Sequence, residues 1–311
     1  RDPAAAVNAT TLWRQNECRF YPEPNGTVTC KCGDYEIMVG DDFPASMMLV
    51  CTPLTRLARK AQLEAMMTGK IYCGHGPPGT GKTETVKDTC HMLGLNAVAV
   101  STDDLMTHPS LGCLEEAKKS GPNCPIVFDE FNRASAENME RIIAACGDTF
   151  TCVTMNPGCP GRHEIPEILR AKMVDQPFSV PDMTVIIQVL LGSEGITDCD
   201  ALGAKVFACV QACKEKCSKQ SHYDFGLRFI KKLVDFVGLV GRTSGFDDET
   251  KLVATAAGTQ LFKQSSTEDK EIVRAEVREA FGHDLEVPGA WRTAGLDATA
   301  AMVASTAQTR H

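Results

Sequence analysis

The sequence has no surplus of positive charge: 32 Lys and Arg stand against 40 Asp and Glu, a formal net charge of −8 at pH 7. Recognition of nucleic-acid phosphates needs a basic face, and so does adhesion to an anionic membrane; neither partner is expected. It has no apolar run near the ~18 residues of a membrane span. The longest, Val185-Ile186-Ile187-Gln188-Val189-Leu190-Leu191, is far too short. There is no internal repeat, and no long antiparallel coiled coil. An initial Met and an apolar signal core are absent too: the chain opens Arg1-Asp2-Pro3, which suggests a piece of something larger or a processed product. Cysteine is not scarce, at 15 in 311 residues, but the number is odd and the density below that of disulfide scaffolds. A chain of this length needs no staples, so the thiols are expected to be mostly reduced, in a cytosolic setting. With 43% hydrophobic and 23% charged residues, the expectation is a soluble globular chain of about two compact units, at ~150 residues each.

The pattern along the chain changes twice. Residues 1–50 are punctuated by Pro22, Pro24, Gly26, Gly33 and Gly40, with short β-like runs at 18–21, 27–32 and 35–39, a hairpin lead-in. From Thr52 apolar residues recur at helical spacing as far as Gly69, with Thr52-Pro53 as cap and first-turn proline. Strands are then expected at 71–73, 97–100, 125–128 and 150–154. Helices alternate with them at 82–93, 111–119 and 136–145. Such alternation calls for a parallel sheet covered on both faces. After Pro181 only helical patterns remain, at about 183–191, 198–216, 225–240, 248–263 and 268–281. The fold class is therefore α/β, a parallel sheet sandwiched by helices and followed by a small helical subdomain. The expected boundaries are 1–50 for the lead-in, 51–192 for the α/β part, 193–285 for the helical part and 286–311 for a connector.

Gly76-Pro77-Pro78-Gly79-Thr80-Gly81-Lys82-Thr83 fits G-x-x-x-x-G-K-[ST] at every position, between a predicted strand and a predicted helix. The spacing follows from chemistry. Glycines let backbone N–H groups curl around phosphate oxygens, the helix N-terminus adds its dipole, and Lys82 reaches the outer phosphates. The Thr83 hydroxyl can complete the shell of a Mg²⁺ ion. Further on, the apolar run Pro125-Ile126-Val127-Phe128 ends in Asp129-Glu130, which puts two carboxylates at the carboxyl end of a parallel strand, where α/β sheets place ligands. Asp129 would hold the Mg²⁺ water shell and Glu130 would polarise the water attacking the γ-phosphate. A third strand end carries Thr154-Met155-Asn156-Pro157-Gly158, whose Asn156 amide could orient that water or touch the γ-phosphate. Asn before Pro is equally an ordinary turn starter.

These residues, in this order, resemble an AAA+ ATPase module, and more narrowly the first AAA+ module of a dynein heavy chain. The resemblance is carried by Thr52-Pro53-Leu54-Thr55, by Gly79-Thr80-Gly81-Lys82-Thr83-Glu84-Thr85 with Lys87-Asp88, and by Phe128-Asp129-Glu130-Phe131-Asn132-Arg133. It extends to Thr154-Met155-Asn156-Pro157-Gly158 with Gly161-Arg162, Val180-Pro181-Asp182, Ser193-Glu194-Gly195, and His222-Tyr223-Asp224-Phe225-Gly226-Leu227-Arg228. It runs from about residue 49 to about residue 240.

The resemblance implies ATP or ADP with Mg²⁺ as ligands. Pro78 to Glu84 would lie around the phosphates and Val50, Pro53 and Leu54 around the adenine. Asn156 falls at the sensor-one position and Arg228 at the sensor-two position. It implies neighbouring AAA+ modules of one heavy chain as partners, microtubules only through parts absent here, and a cytoplasmic, cytoskeletal or axonemal setting. Counting back from Val180-Pro181-Asp182, the position where the family carries an arginine finger is Val174, with Arg170 and Lys172 off register.

Two other readings stay open: a stand-alone AAA+ remodeller, which Val174 disfavours, and a structural module that holds ATP without hydrolysing it, which Glu130 and Asn156 disfavour. Cys209, Cys213 and Cys217 share one helix face and Cys30-Lys31-Cys32 is a close pair, but neither has the four convergent ligands of a zinc site, and both are expected to pack in cores. His75 is expected to be structural.

Overall fold

The computed structural model describes residues 17–41, 49–102, 124–244 and 248–283. The helix expected at 111–119 and the connector at 286–311 lie outside these. The chain divides into two compact units, Arg1–Pro181 and Asp182–His311.

The first unit opens with three short antiparallel strands, β1 (Arg19–Pro22), β2 (Val28–Cys32) and β3 (Tyr35–Met38), in the order β1-β2-β3. Helix α1 (Pro53–Thr68) starts on a reciprocal cap. Thr55 N–H donates to the Thr52 hydroxyl oxygen and Thr52 N–H to that of Thr55, and Pro53 occupies the first turn, where its missing N–H costs nothing. Gly69, in the left-handed region, ends the helix.

Five parallel strands follow: β4 (Ile71–His75), β5 (Val98–Ser101), β6 (Ile126–Asp129), β7 (Thr151–Met155) and β8 (Met173–Pro177), ordered β5-β6-β7-β4-β8. Helices α2 (Lys82–Met92), α3 (Ala136–Cys146) and the single turn α4 (Glu167–Arg170) connect them, with a 3-10 turn at Phe131–Arg133. Alternate residues of each strand enter different cores. Ile71, Cys73, Ile126, Phe128, Val153 and Met173 pack with Met139, Ile142 and Cys146 of α3. Tyr72, Val127 and Cys152 pack with Ala61, Leu63 and Ala65 of α1, Val86 and Cys90 of α2, and Cys30 and Cys32 of the lead-in. Burial on both faces explains why β6 reads as one apolar run. Fully buried Ile126 and Phe128 each contribute roughly 1.5–3 kcal/mol.

The second unit holds α5 (Met183–Ser193), α6 (Cys199–Lys216), α7 (Leu227–Ser244), α8 (Glu249–Gln264) and α9 (Asp269–Phe281) around one apolar core. Asp269 at the start of α9 accepts hydrogen bonds from the Ser218 N–H (3.1 Å) and hydroxyl (2.5 Å), the Tyr223 hydroxyl (2.5 Å) and the Ser266 hydroxyl (3.0 Å). These donors hold its carboxyl down at about 2. The Tyr223 of the His-Tyr-Asp-Phe-Gly string therefore anchors the approach to α7.

One feature differs from the sequence reading. Strand β8 was not expected, because Met173-Val174-Asp175-Gln176-Pro177 has one short apolar pair; pairing with β4 makes it a strand. Val174 lies opposite Tyr72 in that ladder and packs, partly buried, on the core of the second sheet face. The two compact units meet in the chain at Pro181 and Asp182, and Ile187 and Leu191 bury α5 in the helical core. Cys30 and Cys32 of the lead-in belong to the core of the first unit.

Cys30, Cys32, Cys209, Cys213 and Cys217 are buried in the apolar cores. Burial pushes the Cys90 thiol up to about 12 and the Cys217 thiol up to about 11, away from the thiolate that a metal needs. Among the described residues no group of three or more His, Cys, Asp or Glu could hold a metal.

Candidate functional site

β4, β7 and β6 lie side by side, so the three segments leaving their carboxyl ends meet in one place, the ligand-bearing side of an open α/β sheet. From β4 comes the loop Gly76–Gly81, from β6 Asp129 and Glu130, and from β7, between them, Thr154 and Asn156.

Two glycines shape the loop. Gly76 has φ +155, and a Cβ there would lie 2.2 Å from the Phe178 carbonyl oxygen. Gly81 takes the left-handed conformation that turns the chain into α2. Lys82, buried on the first turn, curls over the loop: its Nζ donates to the Gly76 (3.0 Å) and Pro77 (2.6 Å) carbonyls and lies 3.5 Å from the Thr80 hydroxyl. Burial pulls its ammonium below the ordinary lysine range, against the opposing charges of Asp129 and Glu130. Pro78 and Gly79 form the exposed crest of the loop, and Glu84 faces solvent on α2, ion-paired with Lys87.

Asp129 gathers hydroxyls. Thr83 Oγ1 donates to its Oδ1 at 2.7 Å and Thr154 Oγ1 to the same oxygen at 2.5 Å. Thr83 and Asp129 thus offer two hard oxygen donors side by side, a set that fits Mg²⁺, which takes one or two protein oxygens and fills its shell with water and phosphate.

Glu130 is the only described non-glycine residue at positive φ, 54°. A left-handed glutamate costs on the order of 1–3 kcal/mol and persists only where its surroundings hold it. Here its N–H donates to Asp129 Oδ1 (3.1 Å) and Thr154 Oγ1 (3.2 Å). Its carboxylate accepts at Oε1 from Asn156 Nδ2 (3.0 Å), while Oε2 ion-pairs with Arg162 Nη2 (3.1 Å) and with Arg133 Nε. The sequence reading named neither arginine as a site residue, although both stand in the strings that carried the resemblance; their convergence on Glu130 needs two loops to be brought together. Asn156 Oδ1 is buried without a hydrogen-bond partner, an acceptor left open in the centre of this cluster. Three cations (Lys82, Arg133, Arg162) face two carboxylates (Asp129, Glu130), a balance that favours an anionic ligand.

The residues assigned to the adenine lie just before α1 and on its first turn. Val50 and Leu54 are half-buried and Pro53 exposed. Their segment is tethered to α2, because Leu49 N–H donates to Asp88 Oδ1 (2.8 Å) and Asp88 Oδ2 pairs with Arg59 Nη2 (2.8 Å), with both charged groups buried. Arg228 is exposed on the first turn of α7, in the second unit. His75 is half-buried at the end of β4.

A parallel sheet with a glycine loop running into a helix, a lysine on its first turn and an acidic pair at a nearby strand end define a P-loop nucleotide-binding module of the AAA+ class. Comparison with known proteins narrows this further. The chain matches the family described as the hydrolytic ATP binding site of dynein motor region, over residues 43–146 and 139–305. It is 32% identical over 298 residues to dynein axonemal heavy chain 5 of Mus musculus, covering 86% of this chain and 6% of that protein. To dynein axonemal heavy chain 2 of Homo sapiens it is 31% identical over 267 residues, covering 77% of this chain and again 6% of that protein. The chain belongs to the dynein motor-region family, and it spans about 6% of the length of these relatives. No described helix is long and apolar enough to cross a membrane.

Proposed function

We propose that this chain is the Mg-ATP-hydrolysing module of a dynein-type heavy chain, in which turnover changes the module's conformation and adjacent modules carry that change into microtubule-based movement. The observation that carries the reading is the convergence of Lys82, Thr83, Asp129, Glu130 and Asn156 at three neighbouring strand ends. Pro78, Gly79, Thr80, Gly81 and Lys82 would cradle the phosphates through the loop N–H groups and the α2 N-terminus, with Glu84 at the rim. Thr83 and Asp129 would hold Mg²⁺, which when bound screens the charge of the phosphates. Glu130 would accept a hydrogen bond from the attacking water, and the Asn156 amide would keep that carboxylate oriented. Positioning and charge stabilisation are what phosphoryl transfer asks of a protein. Val50, Pro53 and Leu54 would pack the adenine. Arg228 stays in the proposal on the family resemblance alone, as a cation directed at the phosphates. The partners proposed are further AAA+ modules of one polypeptide, and microtubules through other parts of it. The setting proposed is cytoskeletal or axonemal, after the relatives' names.

Val174 supplies no arginine finger from this chain, which favours a module working among unlike neighbours over a ring of identical copies.

Glu130→Gln separates hydrolysis from binding: ATP should stay bound and uncleaved, and unchanged turnover would remove Glu130 from its role. Lys82→Ala should abolish tight ATP binding; binding at wild-type strength would sink the phosphate-loop assignment. The motor reading is tested by the size of the native polypeptide, through mass spectrometry of peptides from this chain. A native chain near this length would replace the motor with a remodeller or a structural module.

A further inference from the structure

The carboxylate of Glu130 is held by one loop at both ends. β7 runs out through Asn156, and the loop that follows turns back at Gly158 (φ +77) and Gly161 (φ +71), so Asn156 and Arg162 face the same side chain. Asn156 Nδ2 takes Oε1 at 3.0 Å and Arg162 Nη2 takes Oε2 at 3.1 Å. The loop is pinned to the acidic turn independently of that carboxylate: His163 N–H donates to the Asn132 carbonyl (2.7 Å), and Asn132 Nδ2 donates to the Asn156 carbonyl (3.3 Å). Arg133, on Glu130's own turn, adds a second cation at Oε2. The Arg162 side chain is only 13% exposed, so it is enclosed where Glu130, at 32%, still reaches solvent.

A carboxylate offers roughly two acceptor directions per oxygen. Two guanidinium groups face Oε2, and a single amide occupies Oε1. The acceptor capacity that remains for water is therefore on Oε1, beside the Asn156 amide. Rotating the carboxylate would exchange the two oxygens and present the cation-covered one instead.

We propose that Arg162 is a positioning residue for ATP hydrolysis: by holding Oε2 of Glu130 from the loop that also holds Oε1, it leaves Oε1 as the oxygen that accepts the attacking water. This inference rests on the reading of Glu130 in the preceding subsection. Arg162 touches no reacting atom; it acts through Glu130, with Arg133 as the weaker partner because it belongs to the same turn and cannot tie Glu130 to the β7 loop.

The test is steady-state turnover and ATP binding in the full native polypeptide. Arg162→Ala should lower kcat by about 10- to 100-fold, the cost of misplacing one reacting group, while KM and the equilibrium affinity for ATP stay within about twofold, since no phosphate contact is removed. Arg162→Lys, which keeps the charge and one donor, should recover part of the loss. In a Glu130→Gln background, Arg162→Ala should have no further effect on residual turnover, because both changes strike one unit. Wild-type kcat in both Arg162 variants, a rise in kcat, or a loss confined to ATP affinity would each overturn the proposal. Should Arg162→Ala fail to fold, Arg162→Lys decides by the same criteria: a reduced kcat at unchanged affinity supports positioning, and wild-type kcat refutes it. Failure of the underlying reading looks different: Glu130→Gln itself would turn over ATP normally, or the wild type would not hydrolyse ATP.

Discussion

Replacing Asp88 by Ala should damage both the stability of the first unit and its grip on nucleotide. Asp88 sits on α2, below the phosphate loop, and its two carboxylate oxygens do separate work: Oδ2 meets the Arg59 guanidinium at 2.8 Å, and Oδ1 accepts the Leu49 N–H at 2.8 Å. Arg59 and Asp88 are each only 7% exposed, and Arg59 Nε already lacks a hydrogen-bond partner. Truncation therefore leaves an enclosed guanidinium with the Cys51 thiol, 3.6 Å from Nη1, in place of a carboxylate. Removing one partner of a buried ion pair costs about 3–5 kcal/mol. With a urea slope near ~2 kcal/mol/M for a unit of this size, the midpoint should fall by about 1.5–2.5 M. Asp88→Asn, which keeps an acceptor for Leu49, should lie between, and replacing the pair by Met at Arg59 and Leu at Asp88 should recover most of the loss, because no unpaired charge remains. The same variants should weaken ATP binding, measured by titration with a fluorescent ATP analogue, because the tether to Val50–Leu54 is cut. A loss of less than about 1 kcal/mol on Asp88→Ala would mean that solvent screens the pair, and the account of this tether would be wrong.

Thr154→Val preserves volume but deprives Asp129 Oδ1 and the Glu130 N–H of a partner; a loss of about 1–3 kcal/mol in denaturant unfolding is expected, with a lower kcat, and unchanged kcat would separate this hydroxyl from Glu130's geometry. Gly76→Ala forces a Cβ to within 2.2 Å of the Phe178 carbonyl oxygen at a strained φ; it should abolish ATP binding, and a variant binding normally would show the loop to be more pliable than drawn. Chelating Mg²⁺ with EDTA should stop turnover and added Mg²⁺ should restore it, whereas turnover that survives EDTA would contradict the Thr83–Asp129 site. In the second unit the Asp269 carboxyl is lowered to about 2 by its donors. The stability it contributes is thus complete above the unfolded carboxylate value near ~4 and is lost as pH falls from there towards about 2. Acid unfolding followed by circular dichroism should be less pH-dependent over that window in Asp269→Asn; an identical profile would refute the assignment.

Elements whose signal is local are legible in the sequence alone. The phosphate loop, β4 and α2 are marked by spacing and turn chemistry, α1 by its cap and stop, and the five helices of the second unit by apolar periodicity. β8 is not legible in this way, because a strand with one apolar pair is made by the neighbour it joins, and β4 supplies that neighbour. For the same reason Val174, counted as a position along the chain, turns out to be a packed member of the sheet.

The sequence by itself determined the α/β-then-helical order, the glycine loop that leads into α2 with Lys82 and Thr83, and the acidic pair Asp129-Glu130 at a strand end, since all of these depend on residues near one another in the chain. Only the tertiary structure decided what surrounds them. The strand order β6-β7-β4 brings Thr154 to Asp129, and the return of the β7 loop sets Asn156 and Arg162 against Glu130. Asp88 is joined to Arg59 and Leu49 across 29 and 39 residues. Contacts at such separations leave no periodicity in the sequence, because they are set by which strands lie side by side and by the cost of leaving a buried charge unpaired.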